Sequence, residues 1–161
     1  PQRKKKVVRE DLHEESIPVP EITAPSYRKI AVALDFSIND EKLLSHALGQ
    51  GKQESEYLLI HVVESATARL LGGNTADLET RNDELRLNRY VDWLKEKGYR
   101  VTGQLGFTNR AKEISRIIQE QQADLLVIGA HGHSGIKDWI YGETINSVRH
   151  ELKIPLLIVN L

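Results

Sequence analysis

Leu125-Leu126-Val127-Ile128-Gly129-Ala130-His131-Gly132 passes from a wholly apolar run straight into a glycine-rich turn. A short continuous apolar run bounded by glycines reads as a strand buried on both faces of a parallel sheet. The turn carries a second message. Gly142 follows in the spacing Gly129-x-x-Gly132-x9-Gly142, ahead of a helical pattern, and glycines placed there admit positive φ and let the backbone approach a ligand closely. The amides they free can point at an anion beside a positive helix N-terminus. The segment therefore predicts both a central strand and a phosphate-facing turn, although the residue after Gly142 is the carboxylate Glu143.

On either side of this segment, apolar runs alternate with helical stripes. Lys29 to Asp35 holds Ile30-Ala31-Val32-Ala33-Leu34, and Tyr57 to Glu64 holds Leu58-Leu59-Ile60-His61-Val62-Val63. Arg100 to Gly106, with only Gln104-Leu105 at its centre, reads as a weaker edge strand. Leu125 to Ile128 and Leu156 to Val159 complete five. Between them, Leu43, Leu44, Ala47 and Leu48 recur with helical spacing, as do Leu87, Val91 and Leu94 and then Ala111, Ile114, Ile117 and Ile118. Ser37 with Asp40 predicts a capping box for the first helix, Gly98 ends a long second one that begins near Asp77, and a fourth starts near Gly142, buries Ile145 and Val148 and stops before Pro155. Strands alternating with helices predict right-handed crossovers and a mainly parallel sheet covered on both faces.

Composition narrows the function classes. The chain has 161 residues, 40% hydrophobic and 28% charged, with a net charge of -1, so no global field recruits nucleic acid or anionic lipid. Nothing approaches the ~18 consecutive apolar residues of a bilayer span. There is no cysteine for disulfide or thiolate chemistry and no methionine, even at position 1, which reads as a piece of a longer polypeptide. Residues 1–26, opening Pro1-Gln2-Arg3-Lys4-Lys5-Lys6 and passing through Pro18, Pro20 and Pro25, read as a flexible basic linker; residues 27–161 form the domain.

In an open α/β sheet, ligands bind beyond the carboxyl ends of the strands, where the strand order reverses. If the first and fourth strands are neighbours, Asp35, Phe36 and Ser37 face the Gly129 turn across that crevice. Asp35 could then accept from a ribose hydroxyl or an adenine amine. No GxGxxG follows the first strand and no GxxxxGK[ST] occurs, which excludes dinucleotide and P-loop readings.

The glycine pattern, with Ala33-Leu34-Asp35-Phe36-Ser37 closing the first strand and Ile154-Pro155-Leu156-Leu157-Ile158-Val159 as the last, resembles the universal stress protein family over about Tyr27 to Leu161. That resemblance implies a three-layer sandwich with a five-stranded parallel sheet of order 3-2-1-4-5. It also implies homodimers paired through the last strand, Leu156 to Val159, and in one subfamily binding of ATP or AMP. By the same match Asp35 and the backbone around Ala33 and Val63 would hold the adenosine. Gly129, His131, Gly132, His133 and Gly142 would surround the phosphates, and Ser37, Glu143 and Thr144 complete the candidate nucleotide-binding residues.

Nucleotide-binding members carry Ser or Thr directly after the last glycine, where this chain has Glu143, with Thr144 one step later. Two like charges ~4 Å apart at an effective dielectric of ~20 repel by about 4 kcal/mol, nearly three decades of affinity. The expectation is therefore weakened nucleotide binding, or binding that needs Mg or Mn to bridge carboxylate and phosphate. Tyr141-Gly142-Glu143-Thr144-Ile145-Asn146-Ser147-Val148-Arg149-His150, together with His61-Val62-Val63-Glu64-Ser65, resembles the domains appended to bacterial NRAMP-type divalent-metal transporters. This implies a fused transmembrane partner and a cytoplasmic position on the cytosolic face of a membrane.

Other constellations carry less. His131-x-His133 beside Glu143 and Asp35 has metal-ligand chemistry, but two histidines on a glycine turn are common by chance and no resident metal is expected. His61, inside an apolar strand, reads as a satisfied core residue, and Leu70-Leu71-Gly72-Gly73 as a surface turn near the crevice. No G-x-S-x-G elbow is present. The sequence thus predicts a non-catalytic regulatory domain. The alternatives are a weak nucleotide hydrolase using Asp35 and a bound cation, or a ligand-free dimerisation module.

Overall fold

The computed structural model describes residues 19–63, 73–130 and 136–161. Strand β1 (Lys29–Ala33) is followed by α1 (Asp40–Gln50), β2 (Glu56–Val63), α2 (Gly73–Glu96), β3 (Arg100–Phe107), α3 (Arg110–Gln121), β4 (Leu125–Ala130), α4 (Ile136–Glu151) and β5 (Leu156–Asn160). The strands form a sheet of order β3-β2-β1-β4-β5 in which every neighbouring pair is parallel. This is the expected α/β architecture.

Period-two alternation along the strands divides the core between two faces. Ile30, Val32, Leu59 and Val127 join Leu43, Leu44 and Ala47 of α1 and Leu87, Val91 and Leu94 of α2 in one layer. Ala31, Leu58, Ile60, Leu126 and Ile128 join Ile114, Ile117 and Ile118 of α3 and Val148 and Leu152 of α4 in the other. The central strands are therefore apolar on both sides, each buried Leu, Ile or Val contributing about 1.5–3 kcal/mol. The expected edge strand β3 has only Val101 and Gly106 buried.

Helix ends follow local chemistry. At the end of α2, Gly98 takes φ 90, and the Tyr99 amide turns back to the Leu94 carbonyl at 3.1 Å, a left-handed termination that glycine adopts without penalty. Asn109 caps α3 by accepting from the Lys112 amide at 3.0 Å.

Two expectations are corrected. Ser37 and Asp40 make no capping box: Asn39 is the N-cap of α1, with no side-chain capping bond. Ser37 is used in the turn before the helix, where its amide donates to Asp35 Oδ1 at 3.0 Å and its Oγ accepts from the Asn39 amide at 3.2 Å. Helix α4 starts at Ile136, not near Gly142, so Gly142 lies inside it and Glu143 and Thr144 near its middle. Ile136 to Tyr141 contain no helix breaker, and one internal glycine costs only about 1 kcal/mol.

Candidate functional site

The chain runs outward through β1, β2 and β3 and then returns to place β4 against the other side of β1. Strand order reverses between β1 and β4, whose register pairs Ala33 with Ile128. The loops leaving both strands consequently open onto one crevice, as the switch-point rule requires. Ala33, Asp35, Arg110, Ile128, Gly129 and Leu161 are among the residues lining it. Its free volume is about 20 Å³, room for roughly one water. Leu161 makes it narrow: its amide donates to the Ala130 carbonyl at 2.9 Å, and its side chain lies over Gly129 so closely that a Cβ on that glycine would collide with Leu161 Cδ1.

The wall formed by β1 and α1 carries an arrangement that the sequence reading missed. Asp40, the first residue of α1, is 1% exposed, and its Oδ2 is buried with no hydrogen-bond partner. Its carboxyl is within hydrogen-bonding reach of the Asp35 side chain and amide and of the Tyr90 hydroxyl. Burial, and then the charge of Asp35, push Asp40 up to about 7. The Tyr90 phenol is pushed up to about 12 by burial and by Asp40. A sequence signal existed: Asp40 stands three and four residues before Leu43 and Leu44 and seven before Ala47, on the buried stripe of its helix.

Phe36 is held at φ 60, an uncommon conformation for a bulky residue. It turns the chain between β1 and α1 and lays the Phe36 ring on His61 with centroids 3.8 Å apart and parallel to Tyr90 at 6.1 Å. His61 is half-buried and satisfied, as expected, with Nδ1 3.0 Å from the Leu34 carbonyl and Nε2 3.4 Å from Asp83. Beyond Phe36 lies a wider groove of about 960 Å³ between α1 and α2, bordered by Ser37, Ile38, Arg86, Arg89 and Trp93.

Residues 26–160 match the family model described as Universal stress protein family. The chain belongs to the universal stress protein family. Among curated relatives, Universal stress protein MJ0577 of Methanocaldococcus jannaschii is 25% identical, covering 83% of this chain and 94% of its own. Universal stress protein YxiE of Bacillus subtilis is 30% identical, covering 83% and 99%. The solved structure of MJ0577 superposes with a TM-score of 0.73 at 21% identity, over 85% of this chain and 98% of that one. A universal stress protein from Archaeoglobus fulgidus, solved in complex with dAMP, has a TM-score of 0.61 at 20% identity and covers 83% and 98%. Another universal stress protein, solved with cAMP, has a TM-score of 0.56 at 19% identity and covers 84% and 98%.

The universal stress protein fold brings some of the expected residues together and separates others. Ala33, Asp35 and Gly129 line the crevice. Ser37 does not line it but donates its amide to the Asp35 carboxylate. Val63 is buried at the end of β2, with its carbonyl accepting from the Thr108 amide at 3.0 Å. His131, Gly132 and His133 lie outside the described residues, as do Leu70 to Gly72. Glu143 is exposed on α4, while Thr144 is buried. Arg110, the first residue of α3, brings a cation to the crevice that no motif announced. No group of three or more potential metal ligands occurs among the described residues. No helix among them is long and apolar enough to cross a membrane.

Proposed function

We propose that this universal stress protein domain is a non-catalytic regulatory module that binds an adenine nucleotide in the crevice between β1 and β4. The observation that carries the reading is the convergence of Asp35 and Gly129, distant in sequence, on one cleft at the switch point of the sheet. Asp35 accepts from the nucleoside, by a ribose hydroxyl or the adenine amine, while the Gly129 backbone leaves room for the phosphates. Arg110 supplies positive charge from α3. The dAMP and cAMP complexes of structurally similar proteins support an AMP-type ligand.

A crevice of about 20 Å³ is far below the ~300 Å³ of a small-molecule site. Binding therefore begins with withdrawal of the Leu161 side chain from Gly129. That displacement gives the domain two states that a ligand can bias. Leu161 directly follows β5, so the same movement reaches the sheet edge, where Ile158 is 45% exposed. In this reading β5 pairs with β5 of a second copy, and occupancy is passed to a fused divalent-metal transporter.

Calorimetry with ATP, AMP and cyclic dinucleotides, each with and without Mg²⁺ or Mn²⁺, tests the reading. Saturable heat with an adenine nucleotide is expected. No heat under any condition would leave a ligand-free module. Steady ATP turnover lost on Asp35→Ala would make the domain a hydrolase. The open reading frame upstream of Pro1 tests the attachment, which predicts transmembrane segments there.

A further inference from the structure

Asp40 has no place in the nucleotide contacts described above, yet it is the most unusual group near them. An ionised carboxylate at this position places a charge where it is 1% exposed, leaves Oδ2 buried and unpartnered and sets a second negative group against Asp35. A neutral acid removes the repulsion and supplies a donor toward the Asp35 carboxylate, while Tyr90 from α2 donates to the other side of the pair. Buried acids are tolerated in this way when one proton is shared between them.

We propose that Asp40 makes ligand binding in the β1–β4 crevice proton-linked, by holding the proton that leaves Asp35 as the single negative acceptor facing the nucleoside. The inference rests on the nucleotide reading above. Its direction follows from charge. A nucleotide brings an anionic phosphate into the crevice and excludes water from the acid pair, and both effects disfavour a second carboxylate charge. The bound state consequently holds the Asp40 proton more tightly than the free state. Binding takes up a proton wherever Asp40 is ionised in the free protein, and affinity falls as pH rises through neutrality.

The other charged or titratable groups around the pair are accounted for among the described residues. Asp35 precedes α1, and Tyr90 and Arg86 face from α2. Arg110 borders the crevice from α3. His61 of β2 stacks on the Phe36 ring, sets its Nδ1 against the Leu34 carbonyl and turns its Nε2 to Asp83 of α2. Lys42, in the same first turn of α1, donates to the Asn160 carbonyl at 2.6 Å.

The test is calorimetry with cyclic AMP, whose phosphodiester lacks the second phosphate ionisation near pH 6, at about pH 6 and about pH 8. Two buffers of different ionisation enthalpy count the protons. AMP serves as a second probe if cyclic AMP is excluded by shape. The wild-type protein is expected to bind roughly tenfold more weakly at the higher pH, with proton uptake approaching one per ligand. Asp40→Asn, a neutral isostere of the protonated acid, is expected to bind equally at both, with no uptake. A wild-type affinity independent of pH, or an Asp40→Asn profile parallel to the wild type, overturns the coupling while leaving nucleotide binding intact. No heat with either nucleotide at the lower pH overturns the nucleotide reading and the coupling with it. Folded Asp40→Asn protein, verified by its melting transition, keeps that outcome distinct from misfolding.

Discussion

The crevice has two unlike walls. On the β1 side, half-buried Asp35 and Tyr90 and fully buried Asp40 form a polar cluster beside a residue in a strained turn, Phe36 at φ 60. On the β4 side the described wall is Ile128, Gly129 and the overlying Leu161, apolar and closely packed. Each wall can do something that the other cannot. An apolar wall fixes shape, so changes to it act on stability and access without regard to pH. A wall with two carboxylates around one proton responds to pH and to the charge of whatever enters.

The largest contrast is in stability. Ile128 is 3% exposed, and Ile128→Ala is expected to lose about 2–4 kcal/mol, equally at acid and alkaline pH in urea unfolding. Asp40→Asn should gain on the order of 2–4 kcal/mol above neutrality and nothing in acid. The folded-state value of about 7 lies above the ordinary value of 3.8, so the stabilisation that the protonated acid gives the native state is complete below about 3.8. It is lost as pH rises through about 7. The variant, which has no proton to lose, should part from the wild type across that interval. Parallel pH profiles for Asp40→Asn and wild type would erase the distinction between the walls.

A smaller effect separates nucleoside from phosphate. Arg110→Ala should weaken AMP about tenfold, in line with loss of one charge-assisted hydrogen bond, and leave adenosine unchanged in the same titration. Equal loss for both would move Arg110 away from the phosphates. The smallest effect is assigned to Glu143→Ser. The side chain is exposed on α4, where charges are screened over about 8–10 Å, so nucleotide affinity should change less than about threefold. The ~4 kcal/mol repulsion inferred from sequence alone applies only to a carboxylate turned into the crevice. An increase approaching a thousandfold would restore it.

Much of the fold was legible because it is written in periodicity. The double-sided strands Ile30 to Leu34 and Leu58 to Val63, the stripes of α1, α2 and α3 and the weak edge strand all follow from spacing, and the structure places them as read. The candidate site is legible only where a motif lies on a strand end, as at Asp35 and Gly129, which line one crevice. Ser37 with Asp40 reads as a capping box from local chemistry, and that signal competes with the helical spacing that places Asp40 on the buried stripe. The start of α4 is not legible, because Gly142 reads as a boundary although the residues before it are adequate helix formers. The Leu161 side chain over Gly129 and the arrival of Arg110 at the crevice that Asp35 lines join distant elements in ways that no local pattern encodes.

The central claim is that Asp35 holds a nucleoside in this crevice, and AMP titration of wild-type and Asp35→Asn protein at about pH 6, where the acid pair carries its proton, tests it most directly. The account predicts saturable binding to the wild type and an affinity lower by about 10–100-fold in the variant, the loss of a hydrogen bond to a charged group. Equal AMP affinities for the two folded proteins would contradict it.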